Sequence, residues 1–110
     1  MEVWKEIDGY ENYSVSNLGR IRKGNYIMSL VDNGLGYKHL KLRRDGKRKS
    51  FYVHRLVMIA FSPIDFSGLE VNHIDHDKSN NKLDNLEWVT HKENLIKAVE
   101  KLGKGAFVKH

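Results

Sequence analysis

Val71-Asn72-His73-Ile74-Asp75-His76-Asp77-Lys78-Ser79-Asn80-Asn81-Lys82-Leu83-Asp84-Asn85-Leu86-Glu87-Trp88-Val89-Thr90-His91-Lys92-Glu93-Asn94 is the stretch that decides the fold. Leu69-Glu70-Val71 reads as a strand, an Asn- and Asp-rich polar run follows, and Leu86-Glu87-Trp88-Val89 reads as a second strand. Thr90 with Glu93 three residues on forms a capping box, which starts a helix there. Leu95, Ile96, Val99 and Leu102 are spaced as one apolar stripe on that helix, and Gly103 is its end signal. A His beside an amide at a strand end, and Asn94 in the first helical turn, converge if the strands pair and the helix packs across them. Oxygen ligands at such a point suit a hard divalent cation such as Mg²⁺, and a neutral imidazole beside it can deprotonate water.

The same residues admit other readings. Asp75, Asp77 and Ser79 occupy the first, third and fifth positions of a calcium loop, but the sixth is Asn80 instead of Gly and the twelfth is Leu86 instead of Glu. A zinc site from His73, His76 and His91 lacks a fourth ligand, so no structural zinc is expected. Asn80, Asn81 and Asp84 read as Asx turns of a structural loop.

Upstream, Trp4 to Val53 alternates short apolar stretches with turn residues, the pattern of short antiparallel strands. Asp45-Gly46 separates two runs as a hairpin turn. Lys38, Lys41, Arg43, Arg44, Lys47, Arg48 and Lys49 crowd that hairpin, and Arg20, Arg22 and Lys23 make a second basic patch. Lys41 and Arg43 alternate with Leu40 and Leu42, so one face can pack on a core while the other stays cationic for phosphates. From His54, the apolar residues Leu56, Val57, Ile59, Ala60 and Phe61 fall at helical spacing until Pro63 ends the segment. Trp4, Tyr13, Phe61 and Trp88 read as core aromatics, and His54 as a structural histidine.

The chain has 110 residues, with 19 Lys+Arg against 14 Asp+Glu and a net charge of +5, enough for one compact core of cationic character. It contains no cysteine, which excludes disulfide scaffolds, thiolate metal sites and thiol catalysis and fits a reducing, cytoplasmic setting. Leu56 to Phe61 is its longest apolar run, too short for a membrane span, and the N-terminus lacks a secretory core.

These motifs resemble the HNH nucleases, the ββα-metal fold, in the form carried by phage and intron homing endonucleases. The likeness runs through Val53-His54-Arg55-Leu56-Val57 with Ala60-Phe61, Asn72-His73-Ile74-Asp75, Asn80-Asn81, Asp84 to Thr90, and Glu93-Asn94. Trp4 to Arg22 is similar to the short modular DNA-binding motif that often precedes this nuclease domain. The resemblance implies an α+β fold: short antiparallel strands and a basic hairpin, a short helix, and a C-terminal ββα motif. It divides the chain into an N-terminal β-rich DNA-binding region, 1–53, and a nuclease region, 54–110, within one unit.

By the same resemblance, His73 is the general base, Asn85 braces the loop that holds it, and Asn94 and Asn72 are metal ligands for Mg²⁺ or Mn²⁺, with Asp75 in reserve. Arg55 joins the basic patches as a phosphate contact. The substrate is double-stranded DNA, and the products carry 5′-phosphate and 3′-hydroxyl ends. Asn72 stands where many homing nucleases have Asp, so metal affinity should lean on the DNA phosphate. A DNA-binding protein that has lost cleavage is the alternative. Nicking by a monomer and double-strand cutting by a homodimer both fit one site per chain. Many relatives carry a further C-terminal module, so the chain is either a compact member or a fragment.

Overall fold

The computed structural model describes residues 1–102, which form three small antiparallel sheets and two helices. The first sheet has the order β1-β2-β3-β4, from Trp4–Ile7, Tyr10–Ser16, Ile21–Lys23 and Tyr26–Ile27. The second pairs β5 (Val31–Asp32) with β6 (Lys38–Arg44) and β6 with β7 (Lys47–Tyr52). The third is the ribbon of β8 (Leu69–His73) and β9 (Leu86–Thr90). Helix α1 (Val53–Phe61) follows β7 directly, and α2 (His91–Leu102) follows β9.

Local chemistry accounts for these elements. Asp45 and Gly46 both take positive φ, 53° and 76°, which matches the twist of a two-residue hairpin and sets Arg44 opposite Lys47. In β6, Leu40 and Leu42 are buried and Lys41 and Arg43 exposed, so the hairpin is divided as its alternation predicts. Thr90 and Glu93 close the capping box reciprocally, through Glu93 N–H to Thr90 Oγ1 at 3.1 Å and Thr90 N–H to Glu93 Oε1 at 2.8 Å.

One apolar cluster joins all three sheets to α1: Ile7, Tyr13, Val15 and Ile21 from the first, Leu40 and Leu42 from the second, Leu86 from the third, and Val53, Leu56, Val57 and Met58 from the helix. Each sheet is too small to bury a face alone, and α1 supplies the shared surface.

One expectation about packing is corrected. Trp4 is only half-buried, and its ring is covered by guanidinium groups, Arg22 at 4.2 Å and Arg20 at 5.5 Å from the centroid. On α2, Leu95 and Ile96 are about half exposed, and the helix lays Asn94 and Lys97 against the ribbon through polar bonds. Gly103 and the tail lie outside the described residues.

Candidate active site

His73 ends β8 and is 5% exposed, so its imidazole is fixed by neighbours rather than by water. Its Nε2 lies 2.8 Å from Oδ1 of Asn81, which is itself 4% exposed. Because Oδ1 only accepts, Nε2 carries the proton of this bond, and in the neutral ring it is Nδ1 that keeps the lone pair. Tyr37 and His54 flank the ring, with centroids 6.0 and 5.2 Å away. Burial first, then the charges of His73 and Arg55, push His54 down to about 4, so it adds no positive charge behind His73 near neutral pH.

The loop between the strands is tied to itself at three points. Asn85 receives the Asp75 N–H on Oδ1 at 3.0 Å and donates Nδ2 to Asp75 Oδ1 and to the Asn80 carbonyl, both at 2.9 Å. The middle Asn therefore braces the turn after His73 and does not touch the ring. Asp75 also accepts from Asn80 Nδ2 and from the Asp77 N–H, both at 2.8 Å, and these bonds hold its carboxyl below the usual range. The expectation of Asp75 as a reserve ligand is corrected, since its oxygens serve the loop and it does not line the cavity described below.

The loop is also gripped from outside. Leu83 N–H bonds the Asn17 carbonyl at 2.8 Å, and Gly19, at φ +85°, sits so close that a Cβ there would lie 2.9 Å from the Asn81 carbonyl oxygen. The β2–β3 turn thus presses on the residue that orients His73. Asn81 is the functional residue that sequence reasoning missed; its Asn-Asn pair looked like turn chemistry, and only its burial against an imidazole distinguishes it.

Asn72, His73 and Asn94 line one cavity of about 420 Å³ together with Glu70, His91, Tyr37 and Lys78. Asn94 donates Nδ2 to Glu70 Oε1 at 2.8 Å, and His91 Nδ1 lies 2.7 Å from Glu70 Oε2. These two bonds, Asn94 first, hold Glu70 below the ordinary glutamate range. Asn72 is 8% exposed and donates Nδ2 to Glu87 Oε2 at 2.7 Å. The donor set is therefore two amide oxygens, with the Glu70 carboxylate and the His73 imidazole beside them, which fits a hard divalent cation that keeps waters and takes phosphate oxygens.

Residues 51–96 match the model of the HNH endonuclease family, and residues 2–43 match the NUMOD4 motif. The chain contains a segment that matches the HNH endonuclease family, preceded by one that matches the NUMOD4 motif. The chain is 44% identical over 96 residues to DNA endonuclease I-HmuI of Bacillus phage SP01, covering 84% of this chain and 55% of that one. It is 32% identical over 107 residues to H-N-H endonuclease F-TflII of Escherichia phage T5, covering 94% of this chain and 55% of that one. A solved structure titled for DNA binding and cleavage by the HNH homing endonuclease I-HmuI superposes with TM-score 0.84 at 38% identity, over 93% of this chain and 60% of that one. The chain thus spans about half the length of these phage relatives. Within it, the segment matching the HNH family supplies most of the cavity lining, and the segment matching NUMOD4 supplies Tyr37 and the turn that holds Asn81 from behind.

The basic residues divide by partner. Lys41, Arg43, Lys47 and Arg48 are exposed on the β6–β7 hairpin. Arg20 is held by both carboxylate oxygens of Glu2, and Arg44 donates Nη1 to the Gly9 carbonyl at 2.9 Å. Arg55 is half-buried beside the stacked rings of Phe66 and Trp88, its guanidinium carbon 5.4 and 5.6 Å from their centroids. Lys38 pairs with Asp32 at 3.9 Å, while Arg22, Lys23 and Lys49 lie over Trp4, Tyr13 and Phe51.

Proposed function

We propose that this chain is the DNA-binding and catalytic part of a phage-type HNH homing endonuclease, which hydrolyses phosphodiester bonds of double-stranded DNA with Mg²⁺ or Mn²⁺ in the bacterial cytoplasm. The observation that carries this reading is His73, buried, fixed through Nε2 by Asn81, with Nδ1 free in a cavity that Asn72 and Asn94 also line. Asn72 and Asn94 would hold the cation. When bound, a divalent ion offsets the charge that builds on the phosphate and on the departing 3′ oxygen.

The chain's own residues do the rest. His73 Nδ1 takes a proton from water as its oxygen bonds to phosphorus, the bond from phosphorus to the 3′ oxygen breaks, and that oxygen takes a proton from solvent water, leaving 5′-phosphate and 3′-hydroxyl ends. Asn81 keeps the imidazole in the tautomer that can accept this proton, and Asn85 with Asp75 holds the turn that carries it. The exposed cations of the β6–β7 hairpin, Lys41, Arg43, Lys47 and Arg48, bind backbone phosphates. Arg20, Arg44 and Arg55 also make bonds or ring contacts within the protein, so these four hairpin cations are the ones with no such partner to give up among the described residues.

A supercoiled-plasmid assay with Mg²⁺ or Mn²⁺, on DNA that the parent retards in gels, tests the proposal. The parent should relax or linearise the plasmid, and His73→Ala should bind it without cutting. Open-circular product identifies a nickase and linear product a double-strand cutter. Retained binding with no cleavage by the parent would overturn the nuclease reading and leave a DNA-binding protein.

A further inference from the structure

The two amides proposed as metal ligands are neutral, yet each is bonded to a carboxylate that the motif does not include. Asn72 and Glu87 are directly opposed across the β8–β9 ribbon, and Glu70 lies two residues before Asn72 on the same face of β8. Helix α2 crosses that face and brings Asn94 onto Glu70. A carboxylate has no proton to donate, so it can bond only the NH₂ end of each amide. Glu87 Oε2 takes Asn72 Nδ2 at 2.7 Å, and Glu70 Oε1 takes Asn94 Nδ2 at 2.8 Å. Both amides are thereby turned so that Oδ1 is the end left for a cation.

Each carboxylate is anchored in turn by a nitrogen from α2: Lys97 Nζ lies 3.5 Å from Glu87 Oε2, and His91 Nδ1 lies 2.7 Å from Glu70 Oε2. Residues 91, 94 and 97 are three apart, so one helix face sets both pairs.

We propose that Glu70 and Glu87 are positioning residues of the metal centre: they fix the rotation of the Asn94 and Asn72 amides and place two negative charges just outside two neutral ligands. This rests on the metal site proposed above. It also explains how Asn can stand at position 72, because an Asp there would put a second carboxylate against Glu87 with no proton between them. The asparagine is then matched to Glu87, and is not simply a weakened aspartate.

Mn²⁺ titrations of the full chain, read by the resonance of the free ion and by calorimetry, test this without reference to cleavage. Asn94→Ala should weaken Mn²⁺ binding; binding as tight as the parent's would overturn the metal site itself, and this inference with it. Given that loss, Glu70→Gln and Glu87→Gln should each weaken Mn²⁺ binding about ten-fold, in the range typical of groups that orient metal ligands. Their melting temperatures and circular dichroism should match the parent's. Asn72→Asp alone should bind Mn²⁺ no better than the parent, whereas Asn72→Asp with Glu87→Gln should bind more tightly. Parental affinity in both Gln variants, or equal tightening by Asn72→Asp with and without Glu87→Gln, would overturn the proposal while leaving the metal site standing.

Discussion

Replacing His54 by Phe should remove most of the protein's sensitivity to mild acid. His54 is 8% exposed, and its Nδ1 is buried without a hydrogen bond among the described residues. Desolvation first, then the charges of His73 and Arg55, lower its folded value from 6.5 to about 4. The unfolded chain therefore takes up a proton near pH 6.5 that the folded chain refuses until near pH 4. Stability is complete above the unfolded value, declines as the pH falls between the two, and changes no further below the lower one. Protonation linkage puts the loss at about 2 kcal/mol by pH 5, with a limit of about 3 kcal/mol. With a urea slope of roughly 1–3 kcal/mol/M, the parent's midpoint should drop by about 1 M between pH 7.5 and pH 5. His54→Phe keeps a ring among Tyr37, Tyr52 and His73 and removes the orphaned nitrogen, so its midpoint at pH 7.5 should equal or exceed the parent's. Its loss on acidification should be smaller by about the 2 kcal/mol assigned to His54. Urea titrations followed by far-ultraviolet circular dichroism measure both quantities. Equal losses in parent and variant would refute a neutral, desolvated His54.

Gly19→Ala forces a side chain into φ +85° and a Cβ to 2.9 Å from the Asn81 carbonyl oxygen. The left-handed conformation alone costs about 1–2 kcal/mol, read by melting, and kcat on DNA should fall further because the Asn81 loop must move. Asn81→Ala leaves the Nε2–H of a buried His73 unpaired, a loss of about 1–3 kcal/mol; cleavage should fall toward that of His73→Ala while gel-shift affinity persists. Lys41→Ala and Arg43→Ala should leave the melting temperature unchanged and each reduce the slope of log affinity against log salt by about 1. An unchanged slope would remove those residues from the DNA interface.

Much of the fold was legible because its signals are local. The Asp45-Gly46 turn, the alternation of Leu40 and Leu42 with Lys41 and Arg43, and the Thr90–Glu93 capping box each act within a few residues, and all three appear as read. The α2 stripe marked the helix, but helical spacing reports that Leu95, Ile96 and Val99 share a face, not that anything covers it. The basic residues are a similar case. A sequence counts the charges of Arg20, Arg44 and Arg55, whereas only the fold sets them against Glu2, the Gly9 carbonyl and the rings of Phe66 and Trp88.

The sequence by itself determined the ribbon-and-helix frame and which residues stand at its ends: His73 beside Asn72, and Asn94 in the first turn of α2. Spacing along one chain is enough for that, because each position follows from strand alternation or from the helix start. Only the tertiary structure decided what those side chains bond to. Asn81 reaches the His73 ring from eight residues away, Gly19 supports Asn81 from another sheet, and Glu70 and Glu87 turn the amides of Asn94 and Asn72. Such contacts depend on burial and on angles between elements. An asparagine that fills a turn and one that fixes a histidine are written with the same letter.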